Sequence, residues 1–320
     1  MARNDHYVSQ TYLRHFAIPK GVLVPYYKNA QVVVGKPKTP KSICFETEGD
    51  TNKYFQNPRL LDEFLPAYEN SWNNNISRLE SRSLDAKTKF ELAGYIAFLR
   101  SCSPTAKRIG QQMIAGILEP QAYEIGLANL DNADYLSDTQ KLTLRKAFQN
   151  GEIEIKIDKE FAHAQGMRAL IGMVHRYYCS HWLVLINETS VPFITSDNPA
   201  ILYYHDIQQQ IAQTYIPLKP YMALLIAPDI DIDRPNFEDV KRYRNSKDVF
   251  GIIKQSYVNK FNESIVKSAE RIVLHQKKED WLEQLVLQFS RWRVDTIVSY
   301  LPAHKGTTII TRQRPVERND

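Results

Sequence analysis

The chain has 320 residues, 43% hydrophobic and 24% charged, enough to bury one substantial core or two smaller ones. Lys and Arg exceed Asp and Glu by 41 to 36, a formal charge of +5, which permits contact with nucleic acid but is too slight an excess to argue for it. Three scattered cysteines, Cys44, Cys102 and Cys179, cannot form a full disulfide set, and with 12 Gly against 16 Pro there is no linker-like tract; both facts point to a folded protein in a reducing, cytoplasmic setting.

Residues 6–16, His-Tyr-Val-Ser-Gln-Thr-Tyr-Leu-Arg-His-Phe, are too rich in rings and polar groups for a loose tail. If helical throughout, they set His6, Gln10 and Arg14 in one row at i, i+4 and i+8, with Tyr12, Leu13 and Phe16 on another face. Val22–Lys28, the pair Asn29-Ala30 and Gln31–Val34 read as a β-hairpin whose first arm, carrying Pro25, lies at an edge. Ser42–Phe45 is a short strand candidate, followed by the acidic loop of Glu46, Glu48 and Asp50.

From Arg59 the apolar period becomes helical, through Leu61, Phe64, Leu65, Tyr68, Trp72, Ile76 and Leu79. Asp85 is placed to cap the next helix, Pro104 divides that helix from another over Thr105–Leu118, and Ser137 or Asp138 opens one ending at Asn150-Gly151. Glu152–Asp158 alternates like an edge strand, and Lys159–His175 is again helical. The stretch 59–175 is thus a helical block. Four apolar runs follow, at Trp182–Ile186, Phe193–Thr195, Thr214–Leu218 and Tyr221–Ala227, and predict one mixed or antiparallel sheet. Asp229–Phe237 reads as an acidic loop, Ser256–Ser268 as a helix, Arg271–Leu274 as a strand and Asp280–Phe289 as the last helix. The expected fold is α+β: a single domain over 1–305, its sheet built from 22–45 and 182–274 around the inserted helical block, with 306–320 as a polar tail. No run approaches the roughly 18 uninterrupted apolar residues of a membrane span, so no membrane partner is expected.

The phosphate-loop, dinucleotide, zinc-protease and nucleophile-elbow signatures are all missing. Eight histidines show no ligand spacing, so no metal site is assigned and cofactors stay unknown. Glu46, Glu48 and Asp50 could hold a hard cation, though a solvated acidic loop outweighs that reading. The stretch Phe193-Ile-Thr-Ser-Asp-Asn-Pro199 ends an apolar run at a carboxylate. Asp197 there is either the cap of a turn or a side chain held at the rim of a sheet for chemistry.

The same residues carry a resemblance. His6–Phe16 resembles the His-Tyr-Val-Pro-Gln-x-Tyr-Leu-Arg-x-Phe signature of the domain of unknown function 4238 family, with Ser9 in place of the usual Pro. Phe193–Pro199 resembles its central motif and Ile216–Leu218 its Pro-Leu element, while Val258–Asn262 and Ser268–Arg271 fit its C-terminal part. The resemblance implies no activity, but His6, Gln10, Asp197 and Asn198 match the family's most characteristic positions.

Three readings follow. In the first the protein is a hydrolase or nuclease-like enzyme: His6 is the general acid–base, Asp197 orients it or binds a cation, and Arg14 steadies developing negative charge. Gln10, Tyr12 and Asn198 would contact the substrate. In the second it is a binding module for nucleic acid or a protein partner, for example in phage defence. In the third, His6, Gln10 and Asp197 are a buried network pinning the N-terminus to the sheet.

Overall fold

A computed structural model describes residues 3–17, 19–150, 152, 156–204, 211–229, 248–303 and 306–318. Residues 153–155 of the predicted strand 152–158 and most of the predicted loop 229–237 lie outside these residues, and the described ends of that strand, 152 and 156–158, are not in a strand. The chain is α+β, as expected, and the helices of its helical block lie between two strand-bearing parts.

That block is α2 (Leu60–Glu69), α3 (Trp72–Glu80), α4 (Ala86–Cys102), α5 (Pro104–Asp131), α6 (Asp138–Gln149), α7 (Lys159–Arg168) and α8 (Leu170–Tyr178). Caps account for its punctuation. Asp85 accepts the Thr88 amide, Ser103 accepts the Ala106 amide with Pro104 at the first helical position, and Ser137 forms a reciprocal capping box with Gln140. The predicted helix from Arg59 is two helices, because Asn70 and Ser71 close the first and the Ser71 hydroxyl bonds back to the Tyr68 carbonyl at 3.0 Å. The helix expected to stop at Leu118 instead runs through Pro120 to Asp131. Tertiary packing overrides the proline: Gly116 lies so close to Val298 that a Cβ would clash, and the Phe148 ring sits on Gly126.

The strands do not form one sheet. The largest sheet has the order β6-β7-β8-β4-β9: β6 (Ile201–Tyr203), β7 (Gln213–Lys219), β8 (Met222–Ala227), β4 (His181–Ile186) and β9 (Val249–Ile252). Among the described residues of this sheet only the β4–β9 pair is parallel. The segment 22–45 stays out of it. Its strand β2 (Val24–Tyr27) pairs with β10 (Ile272–His275), which also takes β5 (Thr195–Ser196). β3 (Phe45–Thr47) pairs with β1 (Asn4–His6). The hairpin expected at Asn29 survives only as bridges Tyr26–Val34 and Leu23–Lys38, with Asn29 in the left-handed region its side chain tolerates (φ 56°). The expected C-terminal tail is a strand: β12 (Gly306–Glu317) pairs along its length with β11 (Trp292–Ala303). Its β-branched run Thr307–Thr311 supplies strand propensity that a count of polar residues overlooks.

The short helix α1 (Gln10–Arg14) and α4 share one core, in which Tyr12, Phe16, Trp72 and Tyr95 pack ring on ring with centroids 4.5–5.7 Å apart. A second core lies beneath α9 (Gln255–Ser268) and α10 (Asp280–Gln288), where Tyr215 stacks on Phe261 at 4.2 Å. Among the described residues no helix is long and apolar enough to cross a membrane.

Candidate functional site

The N-terminal and central motifs meet inside the protein. Ser9 caps α1 by accepting the Tyr12 amide at 3.2 Å, and its hydroxyl also bonds the buried Tyr95 hydroxyl. The Tyr12 hydroxyl, fully buried, donates to the Pro217 carbonyl at 2.7 Å and accepts from Thr195 Oγ1 at 2.8 Å. Tyr12 is therefore a tie between α1, β5 and β7; with no exposed surface, it is closed to a substrate.

Asp197 is equally committed. Its side chain is buried, and its two oxygens accept the amides of Glu270 (2.9 Å), Arg271 (2.7 Å) and Ile272 (3.0 Å), while its own amide donates to the Ile272 carbonyl. It thus holds the chain between α9 and β10 in place. Asn198 works on the same junction, donating through Nδ2 to the Ser268 carbonyl at 2.9 Å. Lys28 closes the other side: its buried ammonium donates to the carbonyls of Val266 (2.8 Å), Ala269 (3.0 Å) and Trp292. Burial pushes the Asp197 carboxyl up to about 6, against the pull of its amide donors. Burial likewise lowers the Lys28 ammonium to about 8, against the opposing charges of Asp197 and Glu270. Among the described residues no hydrogen bond or ion pair joins Asp197 to His6. The expected catalytic pairing is replaced by a structural one, because the acceptor capacity of Asp197 faces main-chain amides.

His6 and Gln10 lie elsewhere, in a cleft of about 270 Å³ at the start of the chain. His6 ends a strand and Gln10 begins α1, so the predicted helical row does not exist; the turn between them brings both side chains to the same cleft. The His6 Nε2 donates to the Lys41 carbonyl at 3.2 Å and its ring leans on Phe45. A carbonyl only accepts, so the proton sits on Nε2 and Nδ1 keeps the basic lone pair. Arg14 is exposed and reaches back to Gln10 Oε1 at 3.4 Å; it does not line the cleft.

The cleft floor is acidic. Oxygens of Asp5, Asp50 and Asp62 lie within 4.8 Å of one another. Arg59 donates to both oxygens of Asp5 (3.2 and 3.3 Å), to Asp62 (2.8 Å) and to Glu48 (2.9 Å), and Arg3 reaches Asp5 and Asp62 at 3.1 Å. Glu48 sits in the left-handed region (φ 53°), a conformation held by the Arg3 amide, Thr51 and Arg59 on its carboxylate. Asp50 is different. It is only 6% exposed, yet among the described residues its carboxylate has no hydrogen-bond or ion-pair partner. Burial first, then the charges of Asp5 and Asp62, push it up to about 6.

The acidic loop read as one cation-binding group is thus split three ways. Glu46 turns to Lys107 at 2.8 Å, Glu48 to Arg59, and Asp50 inward to two carboxylates the sequence reading had not singled out. The adjacency of Asp5 to His6 was the one available signal for either. A neighbouring cleft on the other side of β3 contains His163, which burial and the Lys107 charge lower to about 4, so it is neutral near pH 7.

A family model described as "Protein of unknown function (DUF4238)" matches residues 4–279. No curated protein and no solved structure matches the chain.

Proposed function

The chain belongs to this DUF4238 family of proteins of unknown function, and from that premise we propose that it is a nuclease-like hydrolase working in the cleft of His6, Gln10 and Asp50. The observation that carries the reading is a basic imidazole nitrogen in one cleft with a buried carboxylate that the fold leaves unpaired. The structural carboxylate Asp197 is saturated. One left open at a cleft is a group kept for a ligand.

In the proposed reaction His6 Nδ1 takes a proton from water, the water oxygen bonds to phosphorus, and the bond to the leaving oxygen breaks. That oxygen then takes the proton back from the imidazolium. The Gln10 amide orients the substrate, and Arg14 acts only through Gln10. The test is hydrolysis of single- and double-stranded DNA and RNA and of bis-p-nitrophenyl phosphate with added Mg2+ or Mn2+. Turnover that falls by about 10²–10⁴ in His6→Ala is the expected result. No turnover on any of these substrates, or an unaffected His6→Ala, would overturn it.

A second reading, nucleic-acid binding without catalysis, is favoured by the β11–β12 ribbon, which presents exposed Arg312 and Arg314 on one strand outside the matched residues. A two-stranded ribbon is the right size for a DNA major groove. Its signature is salt-dependent retention on DNA, lost in Arg312→Ala/Arg314→Ala.

A further inference from the structure

We propose that Asp50 and Asp62, backed by the neighbouring Asp5, hold one divalent cation of the hard, oxygen-preferring kind, Mg2+ or Mn2+, at the floor of the His6 cleft. For its catalytic use the site rests on the hydrolase reading above; its occupancy does not. Three carboxylate oxygens within 4.8 Å of one another are close enough to share a single ion. Proximity alone would carry nothing, because acidic groups cluster on many surfaces without metal.

Two further observations turn the cluster into a site. The first is Asp50: the residue is only 6% exposed, it lines the cleft, and its carboxylate receives no donor from the described residues, so its oxygens open to the cleft alone. Its own amide, by contrast, is used, donating to Asp5 Oδ2 at 3.2 Å, so the backbone is fixed while the side chain stays open. A buried charge without a partner is costly, and a fold retains one where a ligand supplies the partner.

The second is charge balance. Asp5, Asp50, Asp62 and Glu48 bring four negative charges, and Arg3 and Arg59 bring two positive ones, leaving a deficit of two. Lys107, the nearest further cation, is already held by Glu46 and the Gly49 carbonyl. The remaining negative charge, to which Glu69 at the cleft wall adds, favours a cation. The guanidiniums engage one oxygen of Asp62 and leave the other free, whereas Arg3, Arg59 and the Asp50 amide take all four acceptor positions of Asp5, so the ion has Asp50 and Asp62 as open ligands and water completes an octahedral shell. The same shell would bring a metal-bound water into the cleft that His6 lines.

The experiment is titration of the full chain with MnCl2 and MgCl2 by isothermal calorimetry in metal-free buffer at pH 7.5, with thermal melts alongside. The wild type is expected to bind one Mn2+ saturably and to melt higher as Mn2+ rises. Asp50→Asn is expected to bind at least tenfold more weakly while its metal-free melt equals or exceeds that of the wild type. Asp62→Asn provides the same test should the first variant not fold. Flat titrations at millimolar metal, as for an Asp50 neutralised by a proton alone, overturn the site, as does undiminished binding in both variants. His6→Ala separates the two proposals. It should bind Mn2+ like the wild type and lose turnover; a wild type that binds Mn2+ and turns over none of the substrates refutes the hydrolase reading and upholds the cation site.

Discussion

Asp197 and Asp50 are both buried carboxylates, and burial pushes both up to about 6, yet their surroundings are opposite. Around Asp197 three main-chain amides supply every bond the carboxylate needs. Around Asp50 the nearest polar groups include two more carboxylates, and no donor reaches it from the described chain. The first arrangement stabilises a fold; the second is a liability the fold carries. The comparison teaches that burial of a polar group in a family motif does not mark function by itself. What separates the two is whether the protein has already satisfied it.

The sharpest way to break the comparison is Asp197→Ala. It would strand three buried amides, each costing about 1–3 kcal/mol, so a loss of about 3–5 kcal/mol in urea unfolding is expected. Asp50→Asn should act with the opposite sign. Its folded value of about 6 lies above the ordinary 3.8, so Asp50 supports the fold when protonated, fully below the lower value and no longer once the pH has risen through the higher. Removing the charge should therefore raise stability at pH 7 by up to about 3 kcal/mol and change it little below about pH 4, read from melts across that range. Tyr12→Phe deletes the hydroxyl that bonds the Pro217 carbonyl and Thr195 and should cost about 2 kcal/mol without touching turnover. The smallest effect on stability, below about 1 kcal/mol, is expected for half-buried His6→Ala, whose loss should appear in hydrolysis instead.

Much of this was legible where the physics is local. Asp85 and Ser137 announce helix starts because a cap and the amide it serves are a few residues apart. The split into several sheets was not legible, since β2 finds its partner at β10, some 250 residues on, and no local pattern encodes that pairing. Asp197 was readable as a residue that ends a strand, but whether its carboxylate met an imidazole or a row of amides depended on how Glu270–Ile272 approach it. The cleft was half visible. His6 and Gln10 stood out, whereas Asp62 looked like an ordinary first-turn acid of α2, and only the fold brings it to Asp5 and Asp50. Arg14, read as the group that steadies developing negative charge, lost that place because its exposed guanidinium turns to Gln10 and stays off the cleft lining.

The contrast between a satisfied and an unsatisfied carboxylate is tested most directly by the unfolding free energies of Asp50→Asn and Asp197→Asn, measured side by side at pH 7 with a chelator present. The account predicts that Asp50→Asn is at least as stable as the wild type and that Asp197→Asn is less stable by several kcal/mol, about 3–5. Equal destabilisation by the two substitutions would contradict it, since Asp50 would then be one more structural carboxylate.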